Sequence, residues 1–167
     1  MRDVTDMTLE TVPISTGSQA FEQILNADVP LLTLESSERE AIVEQFRQKA
    51  RFSGQAMYRW HAGDGLCSLR ETGLRVPGCL RLGDTLRYIS MSMHFGIYLI
   101  DNPELPLSQG DMAVLRRIAS TRTDFVRRVV LLSEGPELSR CLGKLALRLK
   151  HEAVVEARLR LRGGRWV

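Results

Sequence analysis

The stretch Phe95-Gly96-Ile97-Tyr98-Leu99-Ile100-Asp101-Asn102 constrains the fold more than any other part of the chain. It is short, apolar and β-prone, and Asn102 and Pro103 close it. A run without polar alternation suits a strand covered on both faces, at the centre of a parallel sheet flanked by helices. It ends in Asp101. An acid in that place can hold magnesium in nucleotide-binding α/β proteins, so the rest of the chain has to be asked whether it supports that chemistry.

The flanking segments alternate in type. Residues 1–16 read as a flexible leader. A short helix is expected over Gln19–Leu25, with Phe21, Ile24 and Leu25 on one face. Leu31–Leu34 reads as a strand. A helix over Glu38–Phe52 follows, with Ile42, Val43, Phe46 and Ala50 on one stripe, and Ser37 with Glu40 has capping-box spacing. Ala56–Trp60 reads as a second strand, and His61–Gly65 as a turn. Residues 66–80 read as an irregular loop. Asp84 is expected to cap a helix over Thr85–Met93. Beyond the central strand, a helix runs from Ser108 to about Ser120, a strand covers Arg128–Leu132, and a short helix runs from Pro136 to Cys141. Leu145–Leu149 alternates as a fifth strand. Residues 152–162 fit a strand or a helix. Regular β-α alternation predicts one three-layer α/β domain over 17–167, with a mostly parallel five-stranded sheet and right-handed crossovers.

A chain of 167 residues with 44% apolar and 26% charged residues can bury a sizeable core. No apolar run approaches the roughly 20 residues of a membrane helix, and the start lacks a signal-peptide pattern. Cys67, Cys79 and Cys141 are odd in number and widely spaced, which favours reduced thiols and a cytoplasmic location. Charge is uneven. Residues 1–112 hold 10 Lys/Arg against 15 Asp/Glu, and residues 113–167 hold 13 against 5. The basic C-terminal part can attract nucleic acid, a nucleotide or an acidic partner, or can form a solvated surface.

The order and texture of Leu31–Ser36, Tyr58-Arg59-Trp60, Gly96–Asn102 and Arg128–Ser133 resemble the N-terminal, non-catalytic domain of a group of stand-alone AAA-type ATPases of bacteria and chloroplasts. The resemblance covers about residues 18–150. It implies a degenerate P-loop-like sheet that has lost its phosphate loop, here as a module with no catalytic AAA part following it. The stretch after the first strand fits that expectation. A phosphate loop needs glycines for close backbone approach and a lysine for the β- and γ-phosphates. Glu35-Ser36-Ser37-Glu38-Arg39-Glu40 has neither, and its three acids repel a triphosphate. Asp101 is then expected to close a turn or cap local backbone.

Other constellations are weaker. Arg81-Leu82-Gly83-Asp84 matches the R-x-G-D form of inhibitory-site motifs that bind cyclic di-GMP in degenerate signalling domains, and Arg87 adds charge nearby. The mechanics are those of an arginine fork on guanine or phosphate and a carboxylate on guanine N–H groups. Arg47 and Arg51 form R-x-x-x-R without the partner motif of PilZ domains, and read as a solvated helix face. His61, Cys67, Cys79 and His94 lack metal-ligand spacing. Ser133 and Cys141 lack a nucleophile elbow. Arg158, Arg160, Arg162 and Arg165, with Trp166, form a basic segment that suits charge and stacking contacts with nucleic acid.

These observations lead to a non-catalytic regulatory domain of a bacterial cytosolic protein, acting through protein–protein contact and holding no cofactor or metal. The long loop 61–80 and the basic C-terminal half are its expected contact surfaces, and homo-oligomerisation is open. One alternative is a cyclic di-GMP sensor using Arg81, Asp84 and Arg87. Another is nucleic-acid binding through Arg158, Arg160, Arg162 and Arg165.

Overall fold

In a computed structural model, which describes residues 11–14 and 17–152, the central stretch forms a strand over Gly96–Asp101 with every residue buried. In chain order the strands are β1 (Thr11–Ile14), β2 (Leu31–Glu35), β3 (Met57–His61), β4 (Gly65–Ser68), β5 (Gly96–Asp101), β6 (Arg127–Ser133) and β7 (Leu147–His151). The helices are α1 (Gly17–Leu25), α2 (Arg39–Ser53), α3 (Leu82–Met91), α4 (Gln109–Ser120) and α5 (Glu137–Leu142). The sheet order is β1-β7-β2-β6-β5-β3-β4. All pairings are parallel except the β3–β4 hairpin.

Two apolar cores cover the two faces of the sheet. Ile97 and Leu99 pack with α1 and α2 residues such as Phe21, Ile42 and Phe46. Tyr98 and Ile100 pack with α3, α4 and α5 residues such as Leu86, Leu115 and Leu138. Successive residues of β5 thus enter opposite layers, as a strand period of two requires. The chain crosses toward β3 beneath α1 and α2 and returns beneath α3, α4 and α5, the arrangement that right-handed crossovers impose. The result is the expected three-layer, mostly parallel α/β domain.

The strand count is seven where five were expected. One addition is Thr11–Ile14, inside the stretch read as a leader, which pairs in parallel with β7. The other is β4, inside the stretch read as a loop, which pairs antiparallel with β3 through the turn at Ala62–Asp64. Both are four residues long, too short to show a period. Cys67 also bridges Arg75, and Val76 N–H donates to the Leu66 carbonyl, so residues after β4 fold back along its free edge. The last strand lies two residues later than expected, because Gly143–Leu145 forms a 3-10 turn.

Helix caps differ from expectation in two places. Glu38 occupies the N-cap of α2 without a side-chain cap bond, and Ser36 Oγ instead accepts from the Glu38 N–H at 2.9 Å. Arg81, rather than Asp84, is the N-cap of α3, so Asp84 falls in the first turn. Ser108 caps α4 as its position suggests, its side chain accepting from the Asp111 N–H at 3.0 Å. Gly54 ends α2 at φ +71°, a conformation glycine adopts without the penalty a side chain brings. No helix among the described residues is long and apolar enough to cross a membrane.

Candidate functional site: the carboxyl edge of the sheet

Open parallel sheets bind ligands beyond the carboxyl ends of their strands, where the strand order switches direction. Here β2 lies between β7 and β6, so this edge gathers Glu35, Asp101, Ser133 and His151 at the ends of four neighbouring strands.

Asp101 shares the α2 face of the sheet with Leu99 and Ile97, and its side chain has no exposed surface. A buried carboxylate is costly unless paired and hydrogen-bonded. Two arginines meet that need. Arg39, the first residue of α2, places Nη1 2.5 Å from Oδ1. Arg59, in β3, donates from Nε at 2.9 Å and from Nη2 at 2.5 Å to Oδ2. Arg59 lies on the same sheet face as Met57, and the register sets it beside Leu99, two residues before Asp101. Both guanidiniums are largely shielded, with side-chain exposures of 19% and 18%. Their outer sides meet two rim acids. Arg39 pairs with Glu134 at 3.4 Å and Arg59 with Glu40 at 2.9 Å. Burial pulls the Arg39 guanidinium toward deprotonation, but its hydrogen bond to Asp101 and the charges of Asp101 and Glu134 outweigh this, and its pKa is raised.

A second buried acid closes the α5 side. Glu35 Oε1 accepts from Ser139 Oγ and from Arg148 Nε, each at 2.8 Å. Ser36, the next residue, lies 2.8 Å by Oγ from His151 Nδ1, and its N–H donates to the Ser133 carbonyl at 2.9 Å. The link from β2 to α2 is therefore three residues, Ser36-Ser37-Glu38, tied on both sides. An eight-residue phosphate loop has no room there. The recess above it, of about 220 Å³, is lined by three carboxylates, Glu35, Glu134 and Glu152, against one lysine, Lys150. The residues present do not fit a magnesium triphosphate. Both oxygens of Asp101 are engaged by guanidiniums, and the cradle that would hold phosphate is acidic and lacks glycine.

Asp101 thus differs from its sequence expectation. It neither closes a turn nor caps backbone, and is instead the centre of an ion cluster. Asn102 carries the turn, at φ +53°. Arg39, Arg59, Glu35, Arg148 and His151 were missed as members of the site. A signal existed for Arg59, because a charged residue inside an otherwise apolar strand requires a buried partner.

The R-x-G-D residues lie elsewhere, at the start of α3. Asp84 accepts from Arg87 Nη2 at 2.6 Å, in an exposed pair three residues apart. The Arg81 carbonyl accepts from the Thr85 N–H and hydroxyl, and its side chain is exposed. Asp84 and Arg87 therefore meet each other, without joining Arg81 in a shared ion pair. Arg158, Arg160, Arg162 and Arg165 lie outside the described residues. The three cysteines are free thiols, with burial raising the pKa of Cys79. No group of three or more His, Cys, Asp or Glu among the described residues is arranged to hold a metal ion.

No curated protein matches the sequence. The family model described as SpoVK-like AAA ATPase, N-terminal domain, matches residues 17–151, from the start of α1 to the end of β7. This agrees with the resemblance read from the strand sequences, and the chain belongs to the SpoVK-like AAA ATPase N-terminal domain family.

Proposed function

We propose that this chain is a non-catalytic regulatory domain of the cytosol that works through protein contact. The observation that carries the reading is the Arg39–Asp101–Arg59 cluster. It fills with protein cations the place where a nucleotide-binding sheet holds its metal. The short β2–α2 link and the acidic recess support the same reading.

The contact surface is the edge formed by the residues after β4 and by α3. Leu80, Tyr88 and Met91 are exposed there, with Met91 76% accessible. Exposed large apolar side chains along α3 and just before it suit a protein partner.

Calorimetry with magnesium ATP, together with a phosphate-release assay, tests the first half. No binding heat and no release are expected. Phosphate release that disappears in Asp101→Asn would refute the reading. Pull-down from native cytosol tests the second half. A captured protein that is lost with Leu80→Asp/Met91→Asp is expected, and capture unchanged by that variant would remove this edge from the proposal.

A further inference from the structure

β6 opens with two arginines that hold helix ends on opposite faces of the sheet. Arg128 faces α1. Its Nε donates to the Ile24 carbonyl at 3.1 Å, its Nη2 to the Ala27 carbonyl at 2.7 Å and its Nη1 to the Arg127 carbonyl at 3.2 Å. Every nitrogen of that guanidinium is engaged, and the charge of Asp28 favours its protonated form. Arg127 faces α3. Its Nη1 donates to the carbonyls of Ile89 and Ser90 at 3.2 Å and 3.1 Å, where the last turn of α3 presents the negative end of its dipole. There the likeness ends. Arg127 is 2% exposed, its Nε is enclosed without a hydrogen-bond partner, and it forms no ion pair among the described residues. Burial lowers its pKa, with Tyr98 pulling the other way. A shielded cation of this kind is stabilised by an anion that it can hydrogen-bond. The edge formed by Nε and Nη2 is the one that takes a carboxylate, and Arg59 turns the same edge to Asp101.

The surface beside Arg127 is apolar. Met91 directly follows the carbonyls that hold Nη1 and is exposed, as are Tyr88 on α3 and Met93 in the link to β5. Residues 88–95 contain no Asp or Glu, so that stretch offers the guanidinium no carboxylate of its own. Methionine and arginine are enriched at protein interfaces, where thioethers mould to a partner and a shielded guanidinium fixes a polar contact. We propose that Arg127 receives a carboxylate from the protein partner of the α3 edge, an aspartate or glutamate set between apolar residues that cover Met91 and Met93. This rests on the reading of α3 as a contact surface and names the chemistry its partner presents. The carboxylate enters beside the Ser92–Phe95 link and meets the Nε and Nη2 edge, while Nη1 stays on α3. A partner with a cation at that position is rejected by like charge.

Selection of a phage-displayed peptide library on the full chain tests it, with Arg127→Met and Leu80→Asp/Met91→Asp as comparison targets. Replacing a buried charge by an apolar side chain of similar size is often neutral or stabilising, and amide chemical shifts of Gly96–Asp101 report the fold of each variant. The enriched sequences are expected to carry Asp or Glu between apolar residues. A synthetic peptide of that sequence is expected to bind the parent about tenfold or more tightly than Arg127→Met, in keeping with one charge-assisted contact. Its amide version, Asn or Gln for the acid, should lose the same factor on the parent and nothing further on Arg127→Met. The Arg127 Nε–H resonance should shift when the acidic peptide binds. Equal affinity of acidic and amide peptides for the parent overturns the proposal and leaves Arg127 as a cap of α3. Enriched peptides that need Met91 but carry no acid also overturn it, with the contact surface retained. No enrichment, or peptides that Leu80→Asp/Met91→Asp binds unchanged, removes the α3 edge itself and the proposal with it.

Discussion

Arg59 Nη2 lies 2.5 Å from Oδ2 of Asp101, a carboxylate with no exposed surface. This contact ties β3 to the tip of β5 and fills the end of the sheet with charge that is already paired. Removing one member of a buried pair leaves the other uncompensated, which costs about 3–5 kcal/mol. Asp101→Asn is expected to cost about 2–4 kcal/mol, because both guanidiniums then crowd a neutral amide but keep some access to water. Arg59→Ala is expected to cost about 3 kcal/mol, with Arg39 still holding the carboxylate. Urea unfolding of the two single variants and the double variant measures the coupling. A double variant whose loss equals the sum of the single losses would show that the pair is not coupled.

Thr33 points a hydroxyl into the α5 side of the sheet, where it has no hydrogen-bond partner among the described residues. The residue is 1% exposed. A buried hydroxyl without a partner costs free energy that a methyl group of the same shape does not. Thr33→Val is expected to raise stability by about 1 kcal/mol, seen as a higher urea midpoint at unchanged m-value. A lower midpoint would reveal a partner for the hydroxyl.

The fold was more legible than the site. Phe95–Asn102 announces its strand because every residue is apolar up to Asp101, and both faces of that strand are indeed covered. Ile42, Val43, Phe46 and Ala50 mark α2 by helical spacing, and all four are buried. Thr11–Ile14 and Gly65–Ser68 gave no such signal. Each is held by a strand distant in sequence or by a hairpin partner, and four residues carry no period of their own. The ion cluster was hidden for a related reason. Arg39 and Asp101 are 62 residues apart, and Arg59 and Asp101 are 42 apart. Only the strand order sets β3 beside β5, and only the short β2–α2 link sets Arg39 above them. In the sequence the acids of Glu35–Glu40 look like one repulsive loop. In the structure Glu35 turns to Ser139 and Arg148 on one face, while Glu40 turns to Arg59 on the other.

Gly96 opens β5 without a side chain, and Tyr98 accounts for it. A Cβ on Gly96 would lie 2.8–2.9 Å from two ring carbons and the hydroxyl oxygen of Tyr98. That ring cannot easily yield. It stacks on Tyr58 at a centroid distance of 5.3 Å, and its hydroxyl bonds Ser92 at 3.2 Å. Gly96→Ala is therefore expected to cost about 1–3 kcal/mol by overpacking, despite the gain in strand propensity. Pairing it with Tyr98→Leu should recover part of the loss. Thermal unfolding of the three variants checks this, and an unchanged Tm in Gly96→Ala would show that the ring moves freely.

Tyr98 also gives the protein an alkaline limit. The phenol is buried between β5 and α3, and burial raises its pKa above the ordinary value of 10.0, although the Ser92 hydrogen bond and the charge of Arg127 pull the other way. The ionised form is the one the fold disfavours. In the unfolded chain the phenol loses its proton near pH 10, while the native phenol keeps it. Above that pH the native state binds more protons than the unfolded state, so stability falls as pH rises. The loss begins at the unfolded value and continues until the raised native value is passed. Tyr88, although partly exposed, is raised by partial desolvation as well and adds to the same window. Below pH 9 neither group contributes a slope. Tyr98→Phe removes the larger buried phenol, so its Tm is expected to fall less than the parent's between pH 9 and pH 11. Tyrosinate absorbance in the native parent should lag behind that of the unfolded chain as pH rises. Parallel Tm curves for the parent and Tyr98→Phe across that window would show that the Tyr98 phenol ionises as readily in the fold as in water.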